Sequence, residues 1–270
     1  MDIWFLYQLP VWVTAVLVSI ILLVVMEAGY QAGKRKRPAI AECDAGEGSD
    51  VALASILALL GLVLAFTYSF TLSRFDSRKH AVLDDANAIG TAFLRASLAP
   101  EPSRSQLQKL LKEYAQTRLV TREQLLAKDG FRKVLERTTK AQSRLWPATD
   151  RMVKAMAAGP LEVSIVQSVN KVLDVAGKRL AAYIDRLPAI VFVLLVFIAA
   201  TAMFIAGFHA GKQGSFKRWR LALLSVVLAA VITVITDFDR PLSGLVQVSQ
   251  QPIAHLIRDM DAALQKHNAK

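Results

Sequence analysis

The sequence predicts an all-α, multi-pass membrane protein: four transmembrane helices, with a helical extramembrane bundle between the second and third. Three observations predict it. Of the 270 residues, 54% are hydrophobic, more than an ordinary soluble domain carries. The apolar residues gather in four stretches free of Asp, Glu, Lys and Arg: Ile3–Met26, Val51–Ser73, Leu187–Gly211 and Leu221–Thr236. Finally, Ala28-Gly29-Tyr30-Gln31-Ala32-Gly33-Lys34 returns as Ala206-Gly207-Phe208-His209-Ala210-Gly211-Lys212, each copy where an apolar stretch meets a basic patch.

A helix needs roughly 20 apolar residues to cross a hydrocarbon core. The first three stretches reach that length; the fourth falls short and must borrow Phe216 and Trp219 at its start. The first run has no positive start and is too long for a cleaved signal peptide, so it is expected to stay as an anchor. The expected organisation is a first hairpin over 1–73 (spans near 3–26 and 51–73) and an extramembrane domain over 74–186. A second hairpin over 187–240 (spans near 187–211 and 218–236) and a C-terminal tail over 241–270 follow.

The middle segment reads as helical throughout. Phe75, Val82, Ala86, Ile89 and Phe93 share one face, continuing the second span without a breaker. Pro100 and Pro102 end that helix, and Ser103 with Gln106 forms a capping box for the next. Its apolar stripe is Leu107, Leu110, Leu111 and Tyr114. Gly130, Pro147 and Gly159-Pro160 mark further boundaries. A last stripe, Ile165, Val169, Val172, Ala176 and Leu180, leads to Pro188, which is acceptable in the first turn of the third span.

The formal charge of +11 is explained by juxtamembrane Lys and Arg facing anionic lipid or setting topology. Nucleic acid is not an expected partner, because no stacking aromatics interleave the basic clusters. The short loops carry Lys34 to Arg37 and Lys212, Lys217, Arg218 and Arg220, which by the positive-inside rule places them in the cytoplasm and the middle outside. Basic residues near the membrane ends of the middle (Arg74, Arg78, Lys79, Lys171, Lys178, Arg179, Arg186) argue the opposite. Cys43 is the single cysteine, so no intrachain disulfide is possible.

No enzyme is expected. There is no C-x-x-C, H-E-x-x-H or phosphate loop, and His80, His209, His255 and His267 show no ligand spacing; neither metal nor cofactor is expected.

Four sets of residues stand out. Gly29/Gly33 and Gly207/Gly211 have the G-x-x-x-G spacing that lets membrane helices approach closely, expected as a helix-contact face related by a pseudo-two-fold along the membrane normal. Asp84, Asp85, Asn87, Thr91 and Arg95 lie in a run of small residues, which expects close neighbours and buried partners for the polar groups. Asp237, Asp239 and Arg240 close the fourth span and could tie its end to the middle domain. Ala58, Leu62 and Phe66, with Phe70, form one apolar stripe on the second span, either packed or lipid-facing, or a dewetting constriction.

The residues Ser73-Arg74-Phe75-Asp76-Ser77-Arg78, followed by Asp85-Ala86-Asn87-Ala88-Ile89-Gly90-Thr91-Ala92-Phe93-Leu94-Arg95-Ala96, resemble the bacterial "bestrophin-like domain" membrane family. That family usually has Glu where this chain has Asp85. The ending Asp237-Phe238-Asp239-Arg240-Pro241-Leu242-Ser243-Gly244, then Val248 and Pro252, is similar to the family's as well. The resemblance implies a homo-oligomer of the bacterial inner membrane, pentameric by analogy with bestrophins, whose second span lines a narrow neck at Ala58, Leu62 and Phe66. It implies a cytosolic middle, against the loop charges. Calcium gating is not implied, since no acidic clasp is present. Arg74, Arg78 and Lys79 would favour anions near the vestibule; Asp76 and Asp84 pull the other way. The expected function is an ion channel. The alternatives are a non-conducting scaffold or sensor whose helical domain binds a partner, and a small secondary transporter, for which four spans are few.

Overall fold

The computed structural model describes residues 10–36, 47–127, 129–214, 218–240 and 244–268. Residues 3–9 of the expected first span, Cys43, Phe216, Lys217 and Pro241 to Ser243 lie outside them. The regular elements among the described residues are helices: α1 (Val11–Arg35), α2 (Glu47–Ala96), α3 (Ser103–Arg118), α4 (Arg122–Leu126), α5 (Gly130–Gln142), α6 (Leu145–Ala155), α7 (Pro160–Ile184), α8 (Ala189–Gln213), α9 (Arg218–Asp239) and α10 (Gln251–Asn268). Segments long and apolar enough to cross a membrane lie within Val11–Arg35, Leu53–Ala96, Pro160–Gln213 and Trp219–Asp239. Two compact units form, one from Met1–Arg74 with Arg186–Val246, the other from Phe75–Asp185 with Gln247–Lys270.

In the first unit α1 and α8 are extensively packed, and α9 lies against both. The α1–α8 contacts advance in the same direction along both helices, Gly207 against Met26 and Gly211 against Tyr30, so the two are parallel. Leu22 and Met26 of α1, Leu195, Ala199 and Met203 of α8, Ile232 of α9 and Leu60 and Leu64 of α2 share one core. Several hydroxyls in these spans bond within their own helix: Thr67 to Val63 O (2.7 Å), Thr233 to Ala229 O (2.7 Å) and Thr236 to Ile232 O (2.5 Å). Such back-bonding satisfies a polar group where lipid offers no partner.

The second unit gathers the apolar stripes of α2, α3, α6 and α7 around one core. Ile89, Ala92 and Phe93 meet Leu107, Leu111 and Tyr114, with Leu145 and Met152, and Ile165, Val169 and Val172 opposite. Of the segment expected as a C-terminal tail, Gln247–Lys270 is part of this unit. α10 buries Ile253 against Val82 and Ala86, and Met260 against the main core. Its apolar positions Ile253, Leu256, Ile257, Met260 and Leu264 fall at helical spacing, which is why it docks.

The start of α3 differs from the expected capping box. Pro102, not Ser103, is the capping position and makes no side-chain bond. Glu101 takes the role instead: its Oε2 accepts the Ser105 N–H (3.2 Å), and Oε1 accepts from Ser105 Oγ (3.0 Å) and Arg104 Nε (2.7 Å). The Ser105 bond first, then Arg104, holds this carboxyl below the usual carboxylate range. At α7 Pro160 occupies the first turn and Glu162 accepts the Gly159 N–H. Pro188 sits at the capping position of α8.

Candidate functional site

The two copies of the glycine repeat face one another. A Cβ built on Gly29 would overlap the carbonyl oxygen of Phe204, and one on Gly33 that of Phe208. From the other side, Gly207 meets the carbonyl of Met26 and Gly211 that of Tyr30. Phe204 is the repeat counterpart of Met26, and Phe208 of Tyr30. Each contact therefore maps onto the other when the two copies are exchanged, the signature of a pseudo-two-fold axis along two parallel helices. Backbone touches backbone here, which only the missing side chains permit.

One end of the same unit is held by the Asp237–Asp239–Arg240 cluster. Asp239 lies at the end of α9 and accepts the Leu187 N–H with both oxygens (3.0 and 3.2 Å), fixing the chain as it enters α8. Arg240 donates from Nη2 to the buried Thr14 hydroxyl in the first turns of α1 (2.8 Å). Asp237 accepts the N–H groups of Leu245 and Val246 (2.8 and 3.1 Å). These bonds link the ends of three membrane helices within one unit.

On α2, Leu60, Leu64, Thr67 and Thr71 turn inward, whereas Ala58, Leu62 (54% exposed), Phe66 (60%) and Phe70 face away from the chain's own core. The stripe is thus not packed inside the protomer.

The polar segment 84–95 divides between two environments. Asp84, Asn87 and Thr91, expected to be buried, are exposed on the chain. With Arg95, Gln167 and Lys171 they border an open cleft of about 370 Å³ between α2 and α7. They face outward because the apolar positions Ala86, Ala88, Ile89 and Ala92 occupy the core side of the helix. Arg95, half-buried, donates from Nη1 to the Ser164 carbonyl (3.0 Å).

Asp85 is the buried member, with its side chain fully enclosed. Its Oδ2 accepts from Arg118 Nε (2.7 Å) and Arg179 Nη1 (2.8 Å). Arg179 Nη2 continues to the Arg118 carbonyl (3.2 Å) and to Gln250 Oε1 (2.8 Å), and Gln250 Nε2 donates to the Tyr183 hydroxyl (3.3 Å). One carboxylate thus joins α2, α3, α7 and the start of α10. The two guanidinium groups stand 5.8 Å from the Tyr114 ring centre and 5.9 Å from that of Tyr183. None of Arg118, Arg179, Tyr183 or Gln250 was singled out from the sequence as a partner.

Tyr114 is fully enclosed beside this cluster, and its hydroxyl makes no protein hydrogen bond. Burial pushes its phenol up to about 12, with Arg118 pulling the other way. The folded pKa exceeds the ordinary value of 10.0. Its contribution to stability is therefore complete below pH 10 and lost as the pH rises towards about 12. Relative to Tyr114→Phe, wild type should lose roughly 2–3 kcal/mol across that interval. Denaturant midpoints measured from pH 9 to 12 check this; parallel profiles for the two proteins would refute it.

Among the described residues no group of three or more His, Cys, Asp or Glu could hold a metal ion.

No curated protein matches the chain. The fold is similar to a crystal structure of a bacterial bestrophin homolog from Klebsiella pneumoniae, at 11% identity and a TM-score of 0.63, covering 92% of this chain and 96% of that one. A mutant of that homolog gives 12% identity and 0.61, covering 95% and 98%. A further crystal structure, described as a membrane protein, gives 11% and 0.63, covering 96% and 99%. At such identity the likeness establishes the fold. The family defined by the bestrophin-like domain matches residues 44–253. With most of its length inside that match and four helices fit to cross a membrane, the chain belongs to the bestrophin-like family of multi-pass membrane proteins.

Proposed function

We propose that this protein is a homo-oligomeric ion channel of the bacterial inner membrane, with Ala58, Leu62 and Phe66 of α2 forming the narrow part of its path. The observation that carries the reading is the outward stripe on α2: large apolar side chains at helical spacing, turned away from the membrane core of their own chain. A ring of protomers with α2 on the axis would bring these stripes together. A ring of five, the arrangement of bestrophins, is the proposed stoichiometry. Large apolar rings exclude water from a narrow passage, so conduction is limited by the cost of wetting it. The charges along α2 have both signs, with Asp76, Asp84 and Lys79 exposed, so the reading assigns no selectivity.

Phe66→Ala, alone or with Leu62→Ala, is expected to raise ion flux in proteoliposomes several-fold without changing oligomer size. Absence of flux from both wild type and variant, in protein verified as folded and oligomeric, would overturn the channel. It would favour a scaffold whose cleft at Asp84, Asn87, Thr91 and Lys171 receives a partner.

A further inference from the structure

The glycine contact between α1 and α8 has a second effect beyond packing: it fixes the position of two lysines. A Cβ on Gly33 would lie 3.1 Å from the backbone nitrogen of Lys212, and one on Gly211 would lie 2.8 Å from that of Lys34. The lysines that end the two copies of the repeat are therefore held side by side, at the last turns of two parallel helices. Lys34 is exposed and Lys212 half-exposed, and the Lys212 ammonium stands 5.5 Å from the Phe208 ring centre. Arg35 and Lys36 follow on α1, and Arg220 lies in the first turn of α9, all exposed.

We propose that this end of the membrane unit binds the phosphate of an anionic phospholipid, held between Lys34 and Lys212 with Arg35 and Arg220 beside it. Like charges placed together repel unless something opposes them. Among the described residues no carboxylate lies within ion-pairing distance of Lys34, Arg35, Lys36, Lys212 or Arg220. The ends of α1 and α8 each offer about half a negative charge. That offsets the two lysines in part and leaves the arginines, among the described residues, without a counter-charge.

The surroundings select a lipid over a free anion. Trp219, 64% exposed next to Arg220, is the side chain expected at the level of lipid headgroups. Towards the middle of the membrane the same two helices turn Val24 and Phe204 outward, an apolar wall for an acyl chain. A phosphodiester at this position would have its charge at the lysines and its chains along α1 and α8. The site is independent of whether the protein conducts.

Native mass spectrometry of the full chain, released from vesicles of phosphatidylglycerol and phosphatidylcholine mixed equally, tests this. Wild type is expected to retain phosphatidylglycerol in preference to phosphatidylcholine. Lys34→Gln/Lys212→Gln is expected to lose that preference roughly thirtyfold, the effect of removing two cations near an anionic surface. Lys34→Arg/Lys212→Arg should keep it, as should Lys79→Gln/Lys178→Gln, which removes the same net charge elsewhere. Equal retention by wild type and Lys34→Gln/Lys212→Gln would overturn the proposal. So would an equal loss in the Lys79/Lys178 variant, which would mark a response to net charge alone. Stabilisation of the detergent-solubilised protein by inorganic phosphate as large as that by phosphatidylglycerol would replace the lipid with a free anion, and so overturn it too.

Discussion

Gly207→Ala is expected to lower the stability of the membrane unit by roughly 3 kcal/mol or more, beyond the ordinary cost of overpacking a core. The added methyl would overlap the Met26 carbonyl oxygen and stand 3.0 Å from the Tyr30 backbone nitrogen. Both are backbone atoms of a neighbouring helix, so no rotamer change can make room; α1 and α8 must separate. The better helix propensity of alanine, worth about 1 kcal/mol, does not offset that separation. Because the contacts exchange under the repeat, Gly29→Ala should cost about as much. Gly177→Ala in α7 is the control: nothing lies within 4 Å of its Cβ position, so it should be neutral or slightly stabilising. Thermal unfolding in detergent, followed by size-exclusion fluorescence, reads all three. Wild-type melting of Gly207→Ala would refute the close contact, and a large difference between Gly29→Ala and Gly207→Ala would refute the pseudo-symmetry.

The membrane helices were legible because lipid leaves a chain few options. Long uncharged runs must become helices, since every backbone group has to bond internally. Their ends were less legible. The first span reads as ending at Met26, before the charge of Glu27, yet α1 continues to Arg35. Gly29 and Gly33 do not break the helix, because their lack of side chains is used in packing. A similar difference affects the last segment. The expected organisation ends in a tail over 241–270, although the stripe from Ile253 to Leu264 is present in the sequence. It was the partner surface on Val82 and Ala86 that could not be read from the sequence.

The polar segment of α2 shows where composition misleads. Small residues on a helix do announce close packing, and Ala86, Ala88 and Ala92 are buried. Within one chain the inference reaches Asp85 but not Asp84, Asn87 and Thr91, because a helix has two sides. Heptad position separates them. Asp85 continues the series Ile89, Ala92 and Ala96; Arg118 continues Leu107, Leu111 and Tyr114; Arg179 continues Ile165, Val169, Val172 and Ala176. Each is a charge at the core register of an otherwise apolar stripe. Two positive and one negative, they could have been proposed as partners on that ground. Which helices adjoin is not written in the periodicity of any one of them.

Asp85→Asn is accordingly expected to destabilise the second unit by roughly 3–5 kcal/mol, the usual consequence of removing one partner from a buried ionic cluster. The loss of the carboxylate charge would leave Arg118 and Arg179, whose side chains are 11% and 5% exposed, as buried cations with only each other and neutral acceptors for company. Asn can keep an acceptor oxygen at the Oδ2 position but without the charge, and its N–H₂ would take the place of Oδ1, which is buried without a hydrogen-bond partner. Asp85→Glu keeps the charge, and the family resemblance places Glu at this position, so it should be tolerated far better if the added methylene is accommodated. The discriminating variant removes the whole cluster. With Asp85→Leu, Arg118→Met and Arg179→Met together, no charge remains to be left unpaired, and a cluster replaced by apolar groups of similar volume is often neutral or stabilising. Chemical denaturation of the three variants separates the cases. If Asp85→Asn melts like wild type, the cluster is not a structural tie. If the triple variant is no more stable than Asp85→Asn, the arginines contribute more than their pairing with Asp85.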